Sequence, residues 1–562
     1  MNRVVRPAAI IVIIAAAGLL AAQTRQFNPV TEEMLRKPSP NDWLNWRRTD
    51  NAWGYSPLDQ INRNNVKQLQ LAWAFPMQGG WQEPTPLVHD GVMYLPNAGS
   101  VVDALDASSG DMIWEYRRDL PKFSLPGHDT EHQLLDEPMR NLSMFEDKIF
   151  LGTADAHMVA LGARAGKVVW DTQASDYKDG LDYRAGTVVV HGKVIGGLVG
   201  CGTYVESKCA LIGHDAETGR ELWRVLSVAK PSEPGGDTWS DLPLLFRSGG
   251  DMWIAGSYDP TLNLVYWGTA QAKPWARVSR HTDGDALFTD STIAVNPDTG
   301  KMLWYHQYLP GETEDMDDVF EKILVDSPEH KSLFEMGKLG ILWEIDRQTG
   351  KFIHATDLGY QNLVDVAPDG KVTYRPGKIP VAGQSIDFCP SYGGIKNWQA
   401  MAYHPETHAF YIPTHPFTCE TATYPVEKLE RGGGGSGGVK QVMRPNPLGD
   451  GSGGAFIAMN TSGKILWKHE QRASYSTSAL TTAGGLVFVG DNRNVYAFDV
   501  KTGELLWQTK TMAPPTGFVI TYSAGGRQFI AIPAGNRFIA GAPRLNTGNA
   551  ILVYALPQTA NR

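Results

Sequence analysis

The sequence predicts an all-β fold, an eight-bladed β-propeller with tryptophan-type docking repeats. One observation is a recurring phrase: Ala, an apolar residue, Asp, two variable residues, Thr-Gly, three variable residues, Trp. Its clean copy is Ala497-Phe498-Asp499, Thr502-Gly503 and Trp507, and a close copy is His214-Asp215, Thr218-Gly219 and Trp223. Looser copies end at Trp114, Trp170, Trp304 and Trp467, and another turns at Asp346 to Gly350. The second observation is spacing: self-similarity at about 40–50 residues is the signature of a propeller. The third is local chemistry. Asp accepts hydrogen bonds from its own downstream backbone and Gly takes positive φ freely, so the phrase is a tight turn between two strands. A lone hairpin cannot bury an aromatic face, so the units must stack about an axis. Two more copies turn at Pro260 and Pro405, making nine hairpin turns. Allowing for one imperfect or doubled copy gives eight blades, with seven as the alternative.

The N-terminus carries Arg3 and Arg6, then an apolar run from Pro7 to Ala22 ending in small residues. That is the pattern of a secretory signal peptide over residues 1–22, too short for a comfortable membrane span. Residues 23–562 then form one propeller domain, exported to the periplasm. Residues 23–40 read as a polar leader. The segment from Trp43 to Phe75, with a helix-compatible Val66 to Leu69, is expected to dock across the ring. Long insertions interrupt the blades at Leu120–Glu137, Pro310–Lys331 and Thr418–Gly454. The last contains the glycine-rich run 432–438, a flexible loop by composition. Such loops gather on one face and shape an entrance.

Net charge is -9, and about -11 without the two leader arginines. An acidic exported chain is a poor nucleic-acid binder. Cys201, Cys209, Cys389 and Cys419 suggest two disulfides, most simply 201–209 and 389–419 among three possible pairings. No C-x-x-C-H haem site, G-x-S-x-G elbow, P-loop or convincing G-x-G-x-x-G is present, so hydrolase and nucleotide readings lack support.

The densest acidic cluster is Glu312, Glu314, Asp315, Asp317 and Asp318. Composition alone reads it as a solvated loop. The sharper reading is a hard-cation site with one carboxylate left free as a base. By default Trp253 is packing, Glu83 an exposed turn residue, and Lys338 and Asn397 solvated.

Taken together, these phrases resemble the pyrroloquinoline quinone (PQQ)-dependent alcohol dehydrogenases, relatives of methanol and ethanol dehydrogenase. The resemblance runs from Trp46-Arg47-Arg48 to Ala555-Leu556-Pro557. It implies cofactor contacts at Glu83, Arg140, Lys338 and Asn397, a quinone stacked on Trp253, and Asp315 as the catalytic base. It places Glu206, Gln271, Asp315 and Asp317 around a metal, with calcium first and a lanthanide second. It also matches Cys389 and Cys419 to a family disulfide. PQQ is a flat tricarboxylate, which explains an aromatic platform ringed by cations and amides. A cation at its quinone edge would make the carbonyl a better hydride acceptor. Without an attached haem domain, electrons are expected to leave to a separate soluble cytochrome c or similar carrier. Three departures stand out. The chain has no adjacent Cys-Cys to cover the second quinone face; Leu134-Leu135 is nearest in register and Cys201 is the candidate neighbour. Gln271 stands where Asn is usual. The rewritten loops differ from those of methanol enzymes, pointing to a larger primary or secondary alcohol. The alternative from a different class is a non-catalytic exported scaffold.

Overall fold

A computed structural model describes residues 27–124, 131–132, 134, 137–416, 418–449, 451–536 and 548–558. The expected signal peptide lies outside the described residues. So do Leu135 and part of the Leu120–Glu137 insertion. Among the described residues, no helix is long and apolar enough to cross a membrane.

The chain folds into consecutive four-stranded antiparallel sheets, the arrangement of a β-propeller. Seven such sheets are present among the described residues, the first built from Leu87–His89, Val92–Asn97, Val101–Asp106 and Met112–Arg117, and an eighth, Leu480–Thr482 to Leu505–Lys510, carries Tyr55–Ser56 as a parallel fifth strand. Burial falls along each sheet. In the first, the opening strand is fully buried and the fourth is mostly exposed, so the fourth strand forms the outer rim. The last sheet is composite. Its strands Ile520–Ala524, Arg527–Ala534 and Ala550–Ala555 are completed by Gln70–Pro76 from near the other end of the chain.

The recurring turn is built as its chemistry requires. Asp215 Oδ1 accepts from Thr218 N (2.8 Å) and Thr218 Oγ1 (2.8 Å), and Asp499 Oδ1 accepts from Lys501 N (2.8 Å) and Thr502 N (2.9 Å). The glycine is required twice over. Gly219 has φ +74°, and a Cβ there would lie 2.5 Å from the ring of Trp170 on the preceding sheet. Gly300 stands in the same relation to Trp223, at 2.5 Å. Each Trp also donates Nε1–H to the neighbouring sheet: Trp170 to Ala216 O (3.1 Å), Trp223 to Pro297 O (2.8 Å). The phrase therefore welds one sheet to the next. Trp223→Ala is expected to cost about 3 kcal/mol through the lost ring and the cavity beside Gly300. The check is a lower urea midpoint with unchanged slope.

The segment after Trp43 docks as expected. Trp43 bridges to Val88, and Tyr55–Ser56 pairs parallel to Leu480–Thr482. The fully buried Arg47 donates to Met401 O (2.7 Å) and Ala479 O (3.0 Å), tying this segment to two sheets. Disulfides join Cys201 to Cys209 and Cys389 to Cys419. The glycine-rich run differs from the free loop its composition predicts. Gly432 N and Gly433 O bond to Tyr204, and Gly435 N bonds to Gly202 O, so backbone pairing fixes it against the 202–204 segment.

Candidate active site

Two kinds of loop open at the same end of an antiparallel sheet: the one entering the first strand and the one joining the second strand to the third. The site is drawn from both. Glu83, Arg140, Trp253, Asp315 and Asn397 lie on loops that lead into first strands, whereas Gln271 and Lys338 lie between second and third strands. All seven, with Asp317, line one cavity of about 660 Å³. Ring geometry thus gathers residues far apart in sequence at one mouth.

The platform is Trp253, half-buried, with Phe320 edge-on at 5.2 Å and the Arg140 guanidinium 4.8 Å above its ring. Arg140 Nη2 lies 2.6 Å from the buried Glu83 carboxylate, which burial pushes up and Arg140 pulls back. Arg184 pairs with Glu137 and Asp182, both at 2.5 Å. Among the described residues, the Nε atoms of Arg140 and Arg184 are buried donors with no acceptor. A flat aromatic face beside unmatched cationic donors fits a planar, multiply anionic ligand.

Carboxylates line the same cavity. The acidic run is buried, not solvated: Glu312 is 0% exposed and Asp315 5%. Asp315 holds φ +68°, uncommon for a residue with a side chain. Lys338 Nζ reaches Asp315 Oδ1 (3.2 Å), Asp315 O (2.9 Å) and Asp317 Oδ2 (2.8 Å), and Gln271 N donates to Asp317 Oδ1 (3.1 Å). Burial pushes the Asp315 carboxyl well above the usual range, Lys338 opposes it, and Asp317 and Glu312 add to it. Asn397 is fixed by donating Nδ2–H to Gly393 O (3.1 Å) and accepting from Trp398 N (2.8 Å). Its neighbour Lys396 anchors the loop through a buried ion pair with Glu321 (2.9 Å).

Glu206 is the exception, and its place corrects the expectation that it joins the metal site. Its side chain is 66% exposed, held by Arg431 (2.8 Å), and absent from the cavity lining. The Cys201–Cys209 disulfide closes the loop that carries it, and Arg431 beside the glycine-rich run captures the carboxylate from outside. Glu206→Gln is expected to leave PQQ affinity unchanged by calorimetric titration; a loss of binding would restore it to the site.

Further groups of the lining were not singled out by the sequence. Asp251 Oδ1 accepts from Gly200 N (2.6 Å) and Cys201 N (3.0 Å), while its Oδ2 pairs with Lys273 Nζ (3.1 Å). Burial pushes Asp251 up, but Lys273 and these N–H groups hold it below the ordinary carboxylate value. Burial penalises the Lys273 ammonium, but Asp251, Asp315 and Asp317 outweigh it and hold its pKa up. A signal existed: Lys273 is two residues from Gln271 on an extended segment, and such positions share a face. Trp275 and Tyr392, stacked at 6.0 Å, wall the mouth with Ser436, Val439 and Gln441.

A calcium ion takes six to eight oxygens at about 2.3–2.6 Å. The side chains here do not converge that way. Both oxygens of Asp317 are engaged, and Glu206 is elsewhere. Among the described residues, one trio of ligand-type side chains converges, Cys201, Cys209 and Asp251. Its sulfurs are tied in a disulfide and its carboxylate to Lys273. The residues present therefore do not fit a calcium or lanthanide ion held as the sequence predicted.

Comparison with known proteins gives the family. The family model for the PQQ glucose/ethanol/alcohol dehydrogenase β-propeller domain matches residues 43–357 and 445–530. Quinoprotein alcohol dehydrogenase PedH of Pseudomonas putida is 31% identical, across 94% of this chain and 92% of that protein. Quinoprotein ethanol dehydrogenase of Pseudomonas putida is 29% identical, across 93% and 90%. Among solved structures, a europium-containing methanol dehydrogenase superposes with TM-score 0.83 at 26% identity, covering 93% of this chain and 99% of that one.

Proposed function

The chain belongs to the family of PQQ-dependent alcohol dehydrogenases, and from that premise we propose that it is a periplasmic enzyme oxidising primary or secondary alcohols larger than methanol. Its eight sheets read as eight blades welded by their tryptophans. The observation that carries the site reading is that the Trp253 platform, Asp315 and Lys338 line one cavity. Arg140, Lys338 and Asn397 would hold the rim of the cofactor, with Glu83 fixing Arg140. PQQ, when bound, supplies a carbonyl that accepts hydride from the alcohol carbon. Asp315 takes the hydroxyl proton on its carboxylate. Lys338 orients that carboxylate and balances its charge in the buried state. Trp275, Tyr392 and Val439 exclude water and offer apolar surface to a substrate carbon chain, which supports the larger-alcohol reading. Electrons would pass to a separate carrier such as a soluble cytochrome c.

A non-catalytic scaffold would have no use for this many buried charges, each costly unless compensated. The test is PQQ titration of the purified chain followed by dye reduction across alcohols of graded length. Activity that needs PQQ and rises with chain length is expected. Activity confined to methanol would overturn the substrate reading, and no activity with any alcohol the enzymatic one.

A further inference from the structure

Resting on the reading as a PQQ enzyme, we propose that the Lys273 ammonium is the resident cation of this site, so that the chain binds PQQ without calcium or a lanthanide. The argument begins with geometry. Lys273 is clamped by Asp251, whose other oxygen is fixed by two backbone N–H groups, so the ammonium is held in place. It lines the same cavity as Gln271, Asp315 and Asp317, the three predicted ligands that do reach it. The fourth, Glu206, has left for the surface and Arg431.

Charge points the same way. A cation near these carboxylates offsets their repulsion and meets an anionic ligand. Lys338 already bridges Asp315 and Asp317 from one side. Lys273 adds a second fixed positive charge on the Asp251 side. A divalent or trivalent ion placed among the same oxygens would face both ammonium groups at short range, and both oxygens of Asp317 are already engaged by Lys338 and Gln271 N. A lysine is a compact point charge with three donors and suits a carboxylate or quinone oxygen rim. Gln271 and Asp317 then act as positioning residues, linked by the Gln271 N–H and braced by Lys338.

The test uses the purified full chain, treated with chelator and dialysed against PQQ, with bound PQQ measured by absorbance and metal by mass spectrometry. Stoichiometric PQQ without stoichiometric calcium or lanthanide is expected, with an affinity that added Ca²⁺ or La³⁺ does not raise. Lys273→Met should weaken PQQ about ten- to a hundredfold, the range for a lost hydrogen bond to a charged group. Lys273→Arg should retain most of it. Because Lys273→Met leaves Asp251 buried without its partner, the Lys273→Met/Asp251→Asn pair is measured beside it and should show the same loss. PQQ binding that requires Ca²⁺ or La³⁺, or stoichiometric metal in the PQQ-loaded wild type, would overturn the inference while leaving the parent reading intact. No PQQ binding with or without metal would overturn the parent reading itself.

Discussion

Asp315→Asn is expected to lower kcat by about 10²–10⁴, the contribution typical of a positioned general base, while PQQ still binds. Asn suits the test because it tolerates the left-handed backbone at φ +68° and matches Asp in size, so the fold is left in place. What it lacks is the capacity to take a proton. Lys338 keeps its ion pair with Asp317 in the variant, 2.8 Å away, so the neighbouring charge is not orphaned. Steady-state dye reduction gives the rate, and a separate PQQ titration shows whether the cofactor is held. An unchanged kcat with PQQ bound would remove Asp315 from the chemistry and leave it as packing.

Trp253→Ala should weaken PQQ by about ten- to a hundredfold. The lost offset stacking contributes about 0.5–1.5 kcal/mol beyond area, and the apolar contact adds to it. Trp253→Phe should fall between, since a smaller ring keeps part of the face. Calorimetry is the appropriate measurement, because the substitution deletes the nearest fluorophore. Unaltered affinity in Trp253→Ala would mean the cofactor stacks elsewhere.

Local chemistry carried the architecture into the sequence. The Asp-x-x-Thr-Gly turn and its Trp could be read because both the hydrogen bonds and the glycine's contact belong to the repeat itself. The acidic run could not be read the same way. Five carboxylates in seven residues look solvated, yet they are buried because Arg280 and Lys338 arrive from other loops, Lys322 follows on the same loop, and Glu312 accepts from Met316 N (2.9 Å). Glu206 illustrates the converse. Its position in the order of motifs was suggestive, but a disulfide-closed loop decides where its carboxylate points, and Arg431 decides what it meets. The glycine-rich run misled for a related reason: composition reports what a backbone is free to do, not the 202–204 partner it finds.

The composite last sheet sets the order of events when the chain folds. Gln70–Pro76 emerges early, but its partner Ala550–Ala555 comes last. Until then the early strand is an open edge, available to proteases and to other chains. Contacts of such long sequence separation close slowly, because loop entropy must be met before pairing repays it. Once closed, the ring has no terminal sheet from which to fray, so opening requires that one seam to part. Chains interrupted before Ala550 should therefore be degraded or aggregate rather than persist as a ring one sheet short.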